Sequence, residues 1–216
     1  MSRIIRDDFR AVFDRDPAAT STLEVILTYA GFHALLAYRL SHWLKMKGVP
    51  FFPRVISQLA RWVTGIEIHP SATIGRGFFI DHGMGVVIGE TAEIGDYVTL
   101  FQGATIGGTG KERGKRHPTL GNHVVVGAGA KILGGIKIGD NVNIGANSVI
   151  LKSVPPNSTV IGVPGRIIKT QGQRLPDATM DHINIPDPIA DRFEALEHEL
   201  IELRKKVENQ DGQSSH

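Results

Sequence analysis

Two stretches of this 216-residue chain collect side chains that can move a proton or grip an anion. One is Asp81-His82-Gly83. The other runs Gly108-Thr109-Gly110-Lys111-Glu112-Arg113-Gly114-Lys115-Arg116-His117-Pro118 and holds four basic residues and three glycines. A loop of that make-up can close over an anionic ligand, because Lys and Arg supply charge-assisted donors; a solvated turn is the plainer alternative. His82 is a candidate general base. Its case needs a carboxylate partner, since an acid bonded to one ring nitrogen orients the other and stabilises the imidazolium. Glu67, fifteen residues upstream, is the candidate for that role. Without such a partner, a lone histidine reads more readily as structural.

Composition removes whole classes of function. With 24 Lys+Arg against 22 Asp+Glu the net charge is +2, too little for a phosphate-neutralising face, so no nucleic acid is expected. There is no cysteine, hence no disulfide, no thiolate metal site and no cysteine nucleophile. The first ten residues carry Asp7 and Asp8 among arginines and lack the apolar run of a signal peptide. From Leu23 to Leu44 the chain is apolar, yet Glu24, His33, Arg39 and His42 interrupt it, so a buried helix is expected rather than a membrane span.

What positions the candidate residues is a repeat. Ile68, Ile74 and Ile80 stand six apart, then Ile88, Ile94, Leu100 and Ile106, then Leu120, Val126, Ile132, Ile138, Ile144 and Ile150. A period of six fits neither a helix nor an alternating strand; it predicts a coil of three short strands in which every sixth residue points to the axis. Glycine follows the aliphatic at 75, 89, 95, 107, 121, 127, 139 and 145, where a tight corner is expected to need a residue without Cβ strain. The period slips twice. Two extra residues follow Asp81-His82-Gly83, and eight extra fall in the basic stretch, so both candidate segments are insertions in an otherwise regular scaffold. His82, beside an axial position, is expected to point outward. The parallel β-helix is placed over 66 to about 168, with Pro155, Pro156 and Pro164 ending the regular part.

Before the repeat, Leu23, Ile26, Leu27, Ala30, His33, Ala34 and Ala37 trace one face of an amphipathic helix, with Asp16-Pro17 as its expected N-cap and first turn. One or two further helices follow, broken at Gly48-Val49-Pro50. After it, Ile189, Phe193, Leu196, Leu200, Leu203 and Val207 form a heptad seam opened by Asp187-Pro188, suited equally to self-association and to packing on the solenoid. The expected organisation is therefore an N-terminal helical domain over 1–64, a β-helix domain over 65–170, and a linker, C-terminal helix and tail over 171–216.

Beyond periodicity, Asp81-His82-Gly83, Ile88-Gly89-Glu90-Thr91-Ala92, Gly107-Gly108-Thr109-Gly110-Lys111, Arg116-His117-Pro118 and Gly127-Ala128-Gly129-Ala130-Lys131-Ile132-Leu133-Gly134 together resemble the serine O-acetyltransferases, a hexapeptide-repeat family. Arg15-Asp16-Pro17-Ala18, Gly31-Phe32-His33-Ala34-Leu35, Tyr38-Arg39 and His42-Trp43 resemble that family's helical domain, so the likeness covers about residues 7 to 170. It implies a left-handed solenoid and transfer of acetyl from acetyl-CoA to L-serine in cysteine biosynthesis. By the same resemblance His82 is the base and Glu67, where the family has Asp, orients it. Asp16 and Asp81 hold the serine ammonium; Arg116 and His117 meet its carboxylate. Gly108, Thr109, Ala128 and Ala146 line the acetyl-CoA site, Arg166 and Lys169 meet its phosphates, and no metal is implied. The family assembles as trimers or dimers of trimers in the cytoplasm. Some members dock O-acetylserine sulfhydrylase through a terminal isoleucine; this chain ends Gln213-Ser214-Ser215-His216, so that docking is not expected.

Three other readings fit less of the sequence. A hexapeptide acetyltransferase for homoserine, a sugar or a xenobiotic would use the same His82, but Asp16, Asp81 and Arg116 favour a charged acceptor. A zinc hydratase of the γ-carbonic-anhydrase type needs three histidines, for which His69, His82, His117 and His123 are candidates. A non-catalytic scaffold leaves the loop composition unexplained.

Overall fold

In the computed structural model, which describes residues 2–110, 113–170, 196, 197, 199 and 200, four helices lead into a three-sided parallel β-helix. The helices are α1 (Ser2–Arg15), α2 (Thr22–Thr28), α3 (Ala30–Met46) and α4 (Phe52–Thr64). Asp16-Pro17 does not open a helix: Asp16 closes α1, and α2 is capped instead by Ser21, whose hydroxyl accepts from the Glu24 N–H at 3.1 Å while Glu24 reaches back to Thr20. The single helix expected over 23–44 is broken at Tyr29, and Leu23, Ile26 and Leu27 are exposed; Val25, Phe32, Ala34, Leu35 and Tyr38 are the buried positions. The break at Gly48-Val49-Pro50 is present, and α4 ends on Gly65 in the left-handed conformation.

The solenoid's strands are β1 (Glu67–Ile68), β2 (Thr73–Ile74), β3 (Phe79–Ile80), β4 (Val87–Ile88), β5 (Glu93–Ile94), β6 (Thr99–Leu100), β7 (Thr105–Gly107), β8 (Thr119–Leu120), β9 (Val125–Val126), β10 (Lys131–Leu133), β11 (Lys137–Ile138), β12 (Asn143–Ile144), β13 (Val149–Ile150), β14 (Ser158–Ile161) and β15 (Arg166–Thr170). They stack into three faces, β1-β4-β7-β10-β13, β2-β5-β8-β11 and β3-β6-β9-β12-β14-β15. All thirteen aliphatics of the repeat are buried and stack inward, as Ile68, Ile88, Ile106, Ile132 and Ile150 do on the first face. Register shows where the insertions leave the coil: Glu67 pairs with Val87 and Thr105 with Lys131, whereas Lys131 pairs with Val149 at the regular spacing. The extra residues bulge outward at the corners without disturbing the ladder.

The corner glycines serve a different purpose from the one expected. None of the eight has a positive φ. Seven of them, all but Gly145, pack against the rung above, where a Cβ on Gly95 would stand 2.7 Å from Asn122 and one on Gly121 2.4 Å from Asp140. The left-handed residues come two positions later, at Gly77, Tyr97, His123, Asn141 and Asn157 on the edge between the second and third faces. The parallel stacking also continues past Pro155 and Pro156, since β14 pairs with β12; β15 then folds back antiparallel.

The lower end of the coil is closed by the helices. The first coil has no rung beneath it, so its carbonyls lack ladder partners. Side chains supply them: Tyr38 donates to Ala72 O at 2.7 Å, Ser57 to Ile68 O at 2.7 Å, and Arg39 to Ile74 O at 2.6 Å and Gly75 O at 2.5 Å, while His42 lies 2.8 Å from Pro70 O. Arg39 is itself paired with buried Asp8 at 3.1 Å. Ala34, Leu35 and Tyr38 join the solenoid's own hydrophobic core. No described helix is long and apolar enough to cross a membrane. The chain divides into residues 1–182 and 183–216; in the second unit the described residues 196, 197, 199 and 200 are helical, and the rest of the expected heptad seam lies outside the described residues.

Candidate functional site

Eight of the candidate residues, Asp81, His82, Gly108, Thr109, Arg116, His117, Ala128 and Ala146, fall on two edges of the prism, one on each side of the first face. The edge between the third and first faces carries His82 and Met84, with Gln102, Ala128 and Ala146 stacked above Met84 at successive rungs; Gly103 N–H donates to Met84 O, Gly129 N–H to Gln102 O and Asn147 N–H to Ala128 O. His82 sits in the left-handed region at φ 56°, followed by Gly83 at 79° and Gly85 at 77°. Tyr97, His123, Asn141, Asn147 and Asn157 share this left-handed conformation at other corners, so it belongs to the scaffold. The turn at His82 is held by Gly83 N–H, which bonds back to Asp81 O at 2.6 Å, and by Gly85 N–H, which donates to Gly65 O at 2.9 Å. The turn projects the imidazole outward, with its side chain 71% exposed, above a buried Asp81 carboxylate whose Oδ2 lies 3.9 Å from His82 Nε2.

Glu67 does not pair with His82 in this chain. Its carboxylate is held by Arg61 at 2.8 Å and Arg54 at 3.2 Å, both from α4. The reason is register. The strand neighbour of Glu67 is Val87, and His82 stands on the corner before that strand.

Asp16 reaches the same region from the end of α1. Its Oδ1 accepts from Ala18 N–H at 2.8 Å and its Oδ2 from the Tyr29 hydroxyl at 2.7 Å. Partial burial, the bond to Asp16 and the negative charges of Asp16, Glu24 and Asp81 raise the Tyr29 hydroxyl to about 12, so it remains a donor. Asp16 is the carboxylate the phenol touches; Asp81 acts on it only through its charge.

The edge between the first and second faces holds the basic segment. Arg116 Nη2 is 2.5 Å from Glu90 Oε2, and Lys115 Nζ is 3.1 Å from Glu93 Oε1 and 2.7 Å from Thr91 O. The Arg116 bond holds the Glu90 carboxyl below its usual range, and the Lys115 bond does the same for Glu93. Thr91 is the hub. Its hydroxyl accepts from the Arg116 and His117 N–H groups, each at 3.1 Å, and lies 2.9 Å from His117 Nδ1, while its own N–H donates to that nitrogen. His117 is buried; desolvation and then the neighbouring Arg116 charge push its pKa below 6.5. Gly89 and Gly108 leave room for the ring, since a Cβ on Gly89 would stand 2.1 Å from Nε2. Glu90, Thr91 and Glu93 were not singled out by role from sequence, although Gly89-Glu90-Thr91 lies directly below the insertion.

Gly108 and Thr109 are exposed at the start of this segment, on the opposite edge from Ala128 and Ala146. Arg166 and Lys169 lie exposed on β15 at the far end of the third face. The four candidate zinc histidines are dispersed over three edges, and among the described residues no group of three or more His, Cys, Asp or Glu could hold a metal ion. His123 stacks on Tyr97, with ring centroids 5.3 Å apart.

Comparison with known proteins follows this geometry. A family profile described as "Serine acetyltransferase, N-terminal" matches residues 1–37, and one described as "Bacterial transferase hexapeptide (six repeats)" matches residues 117–152. The chain is 57% identical over 211 residues to the serine acetyltransferase of Staphylococcus epidermidis, spanning 98% of each. It is similar to the crystal structure of Neisseria gonorrhoeae serine acetyltransferase in complex with serine, at 40% identity and TM-score 0.75, covering 78% of this chain and 69% of that one. It is also similar to that of Brucella abortus serine acetyltransferase in complex with coenzyme A, at 47% identity and TM-score 0.77, covering 79% and 68%.

Proposed function

The chain belongs to the serine acetyltransferase family, and from that membership we infer that it transfers the acetyl group of acetyl-CoA to the hydroxyl of L-serine, giving O-acetyl-L-serine and CoA in cysteine biosynthesis. The observation that carries the residue roles is the corner at Asp81-His82, where an outward imidazole stands over a buried carboxylate. His82 takes the serine hydroxyl proton as the oxygen attacks the thioester carbonyl. The C–S bond breaks as the tetrahedral adduct collapses, and the imidazolium returns the proton to the CoA thiolate. Direct transfer between two bound substrates needs no acyl-enzyme; the gain comes from holding both in reach.

Serine is a zwitterion, and the two charged groups of the site have opposite sign. Asp16 and Asp81 hold its ammonium, while Arg116 and the Nε2–H of His117 meet its carboxylate. Acetyl-CoA lies along Gly108, Thr109, Ala128 and Ala146, with Arg166 and Lys169 near its phosphates. In one chain these two sets lie on opposite sides of the first face. A homotrimer closes the gap by setting the His82 edge of one subunit against the Arg116 edge of the next, which places the acetyl-CoA groove between chains. Whether two such trimers then join is decided by the exposed apolar residues of the helical part, among them Leu40 and Trp43. We assign the reaction to the cytoplasm, whose reducing thiol pool suits release of a free thiol product.

The test is CoA release from acetyl-CoA followed with a thiol reagent, to which a chain without cysteine adds no background. Release with L-serine but not with homoserine or a galactoside supports this function; release with another acceptor alone overturns the assignments of Asp16, Asp81 and Arg116.

A further inference from the structure

We propose that Tyr29 is a positioning residue for the acceptor amino acid: its hydroxyl sets the Asp16 carboxylate that receives the serine ammonium. The proposal rests on the serine reading given above.

Asp16 stands in an unfavourable place. It directly follows the C-terminus of α1, where the helix carbonyls present partial negative charge to any carboxylate. A side chain kept there needs donors, and it has two on two different oxygens. Ala18 N–H binds Oδ1, and the Tyr29 hydroxyl binds Oδ2 at 2.7 Å. Together they fix the plane of the carboxylate and leave its remaining lone pairs for a third partner. The ammonium of an amino acid is the partner of matching charge.

Tyr29 is built for this duty. It is the single residue between α2 and α3, with an extended φ/ψ of −83° and 96°, and it is held at both ends: its N–H bonds to Val25 O and its carbonyl accepts from His33 N–H. Its ring packs against the cluster of Ala11, Val12, Val25, Phe32 and Phe79. Phe79 belongs to β3, the strand that runs directly into Asp81-His82. One rigid side chain therefore connects the helix carrying Asp16 to the strand carrying Asp81 and the base. The break in the helix that sequence periodicity did not foresee places the phenol there.

Tyr29→Phe separates this role from packing, because the ring that fills the cluster is retained. A hydrogen bond to a charged group is worth enough that its loss is expected to raise KM for L-serine about ten- to hundredfold. Because the bond acts on the ammonium and not on the thioester, kcat and KM for acetyl-CoA are expected to stay within about twofold. In an Asp16→Asn background, Tyr29→Phe should add less than about twofold further, since both changes remove one interaction. The proposal is overturned if KM for serine is unchanged, if kcat and both KM values deteriorate together, or if the two substitutions multiply. If instead the unmodified protein acetylates no serine at all, the functional reading fails first, and that result is distinct from each of these.

Discussion

The peptide N–H of Thr91 points at Nδ1 of His117 from 3.2 Å, and this contact fixes the state of the ring. A backbone N–H can only donate, so Nδ1 carries the lone pair and the proton resides on Nε2. Burial acts in the same direction by opposing the charged form. His117 is thus a neutral imidazole whose remaining donor, Nε2–H, stands over Gly89 beside the Arg116 guanidinium. In the proposed serine site Arg116 would supply the charge of the carboxylate subsite and His117 a directed hydrogen bond.

Gly89→Ala would push a methyl group to 2.0 Å from His117 Cδ2, so the ring must leave its seat on Thr91. The expected cost is about 1–3 kcal/mol of stability, as for other overpacked positions, with loss of serine turnover. Chemical denaturation and CoA release check the two parts.

His69 and His117 both have pKa values below 6.5 in the folded protein, in each case through burial first and a neighbouring arginine next. The unfolded chain therefore binds more protons than the native one below pH 6.5. The stability associated with these two groups is complete above that pH and falls as the solution is acidified. Thermal unfolding measured from pH 7.5 downward should show a declining midpoint beginning at about pH 6.5, and a His69→Gln, His117→Asn double variant should decline less.

Arg39→Met removes the partner of buried Asp8 and the donors to Ile74 O and Gly75 O. Desolvation raises the Asp8 pKa even with Arg39 present, so an unpaired carboxylate there is poorly tolerated. The substitution is expected to cost about 3–5 kcal/mol in denaturant unfolding, the usual penalty for stranding one partner of a buried pair.

The solenoid was legible because its information is local and repeated. Every aliphatic of the six-residue repeat from Ile68 to Ile150 found its buried place, and both slips of the period became bulges carrying candidate residues. The helical part was less so. Leu23, Ile26 and Leu27 have the spacing of a core face, yet Tyr29 breaks the helix and turns them to solvent, a choice made by tertiary contacts with Phe79 and Asp16. Glycine positions were found for the wrong reason, because a period read along the chain does not reveal how closely the next rung passes. Asp16, Asp81, Arg116 and His117 came from the family motifs. Glu67 shows the limit of counting: fifteen residues falls short of one coil and leaves His82 on the corner before the strand that pairs with Glu67, and α4 supplies two arginines that claim the carboxylate. Thr91 carried no chemical signal in its residue type and emerged only from the hydrogen bonds converging on it.

The role of His82 is tested most directly by the serine-dependent rate of CoA release in His82→Ala at saturating acetyl-CoA. Its side chain is 71% exposed, so the variant should unfold close to the temperature of the parent protein. Loss of a general base predicts a kcat lower by about 10²–10⁴-fold with KM for acetyl-CoA little changed. A His82→Ala protein that still turns over serine within about tenfold of the parent rate would contradict the assignment and move the base elsewhere in the site.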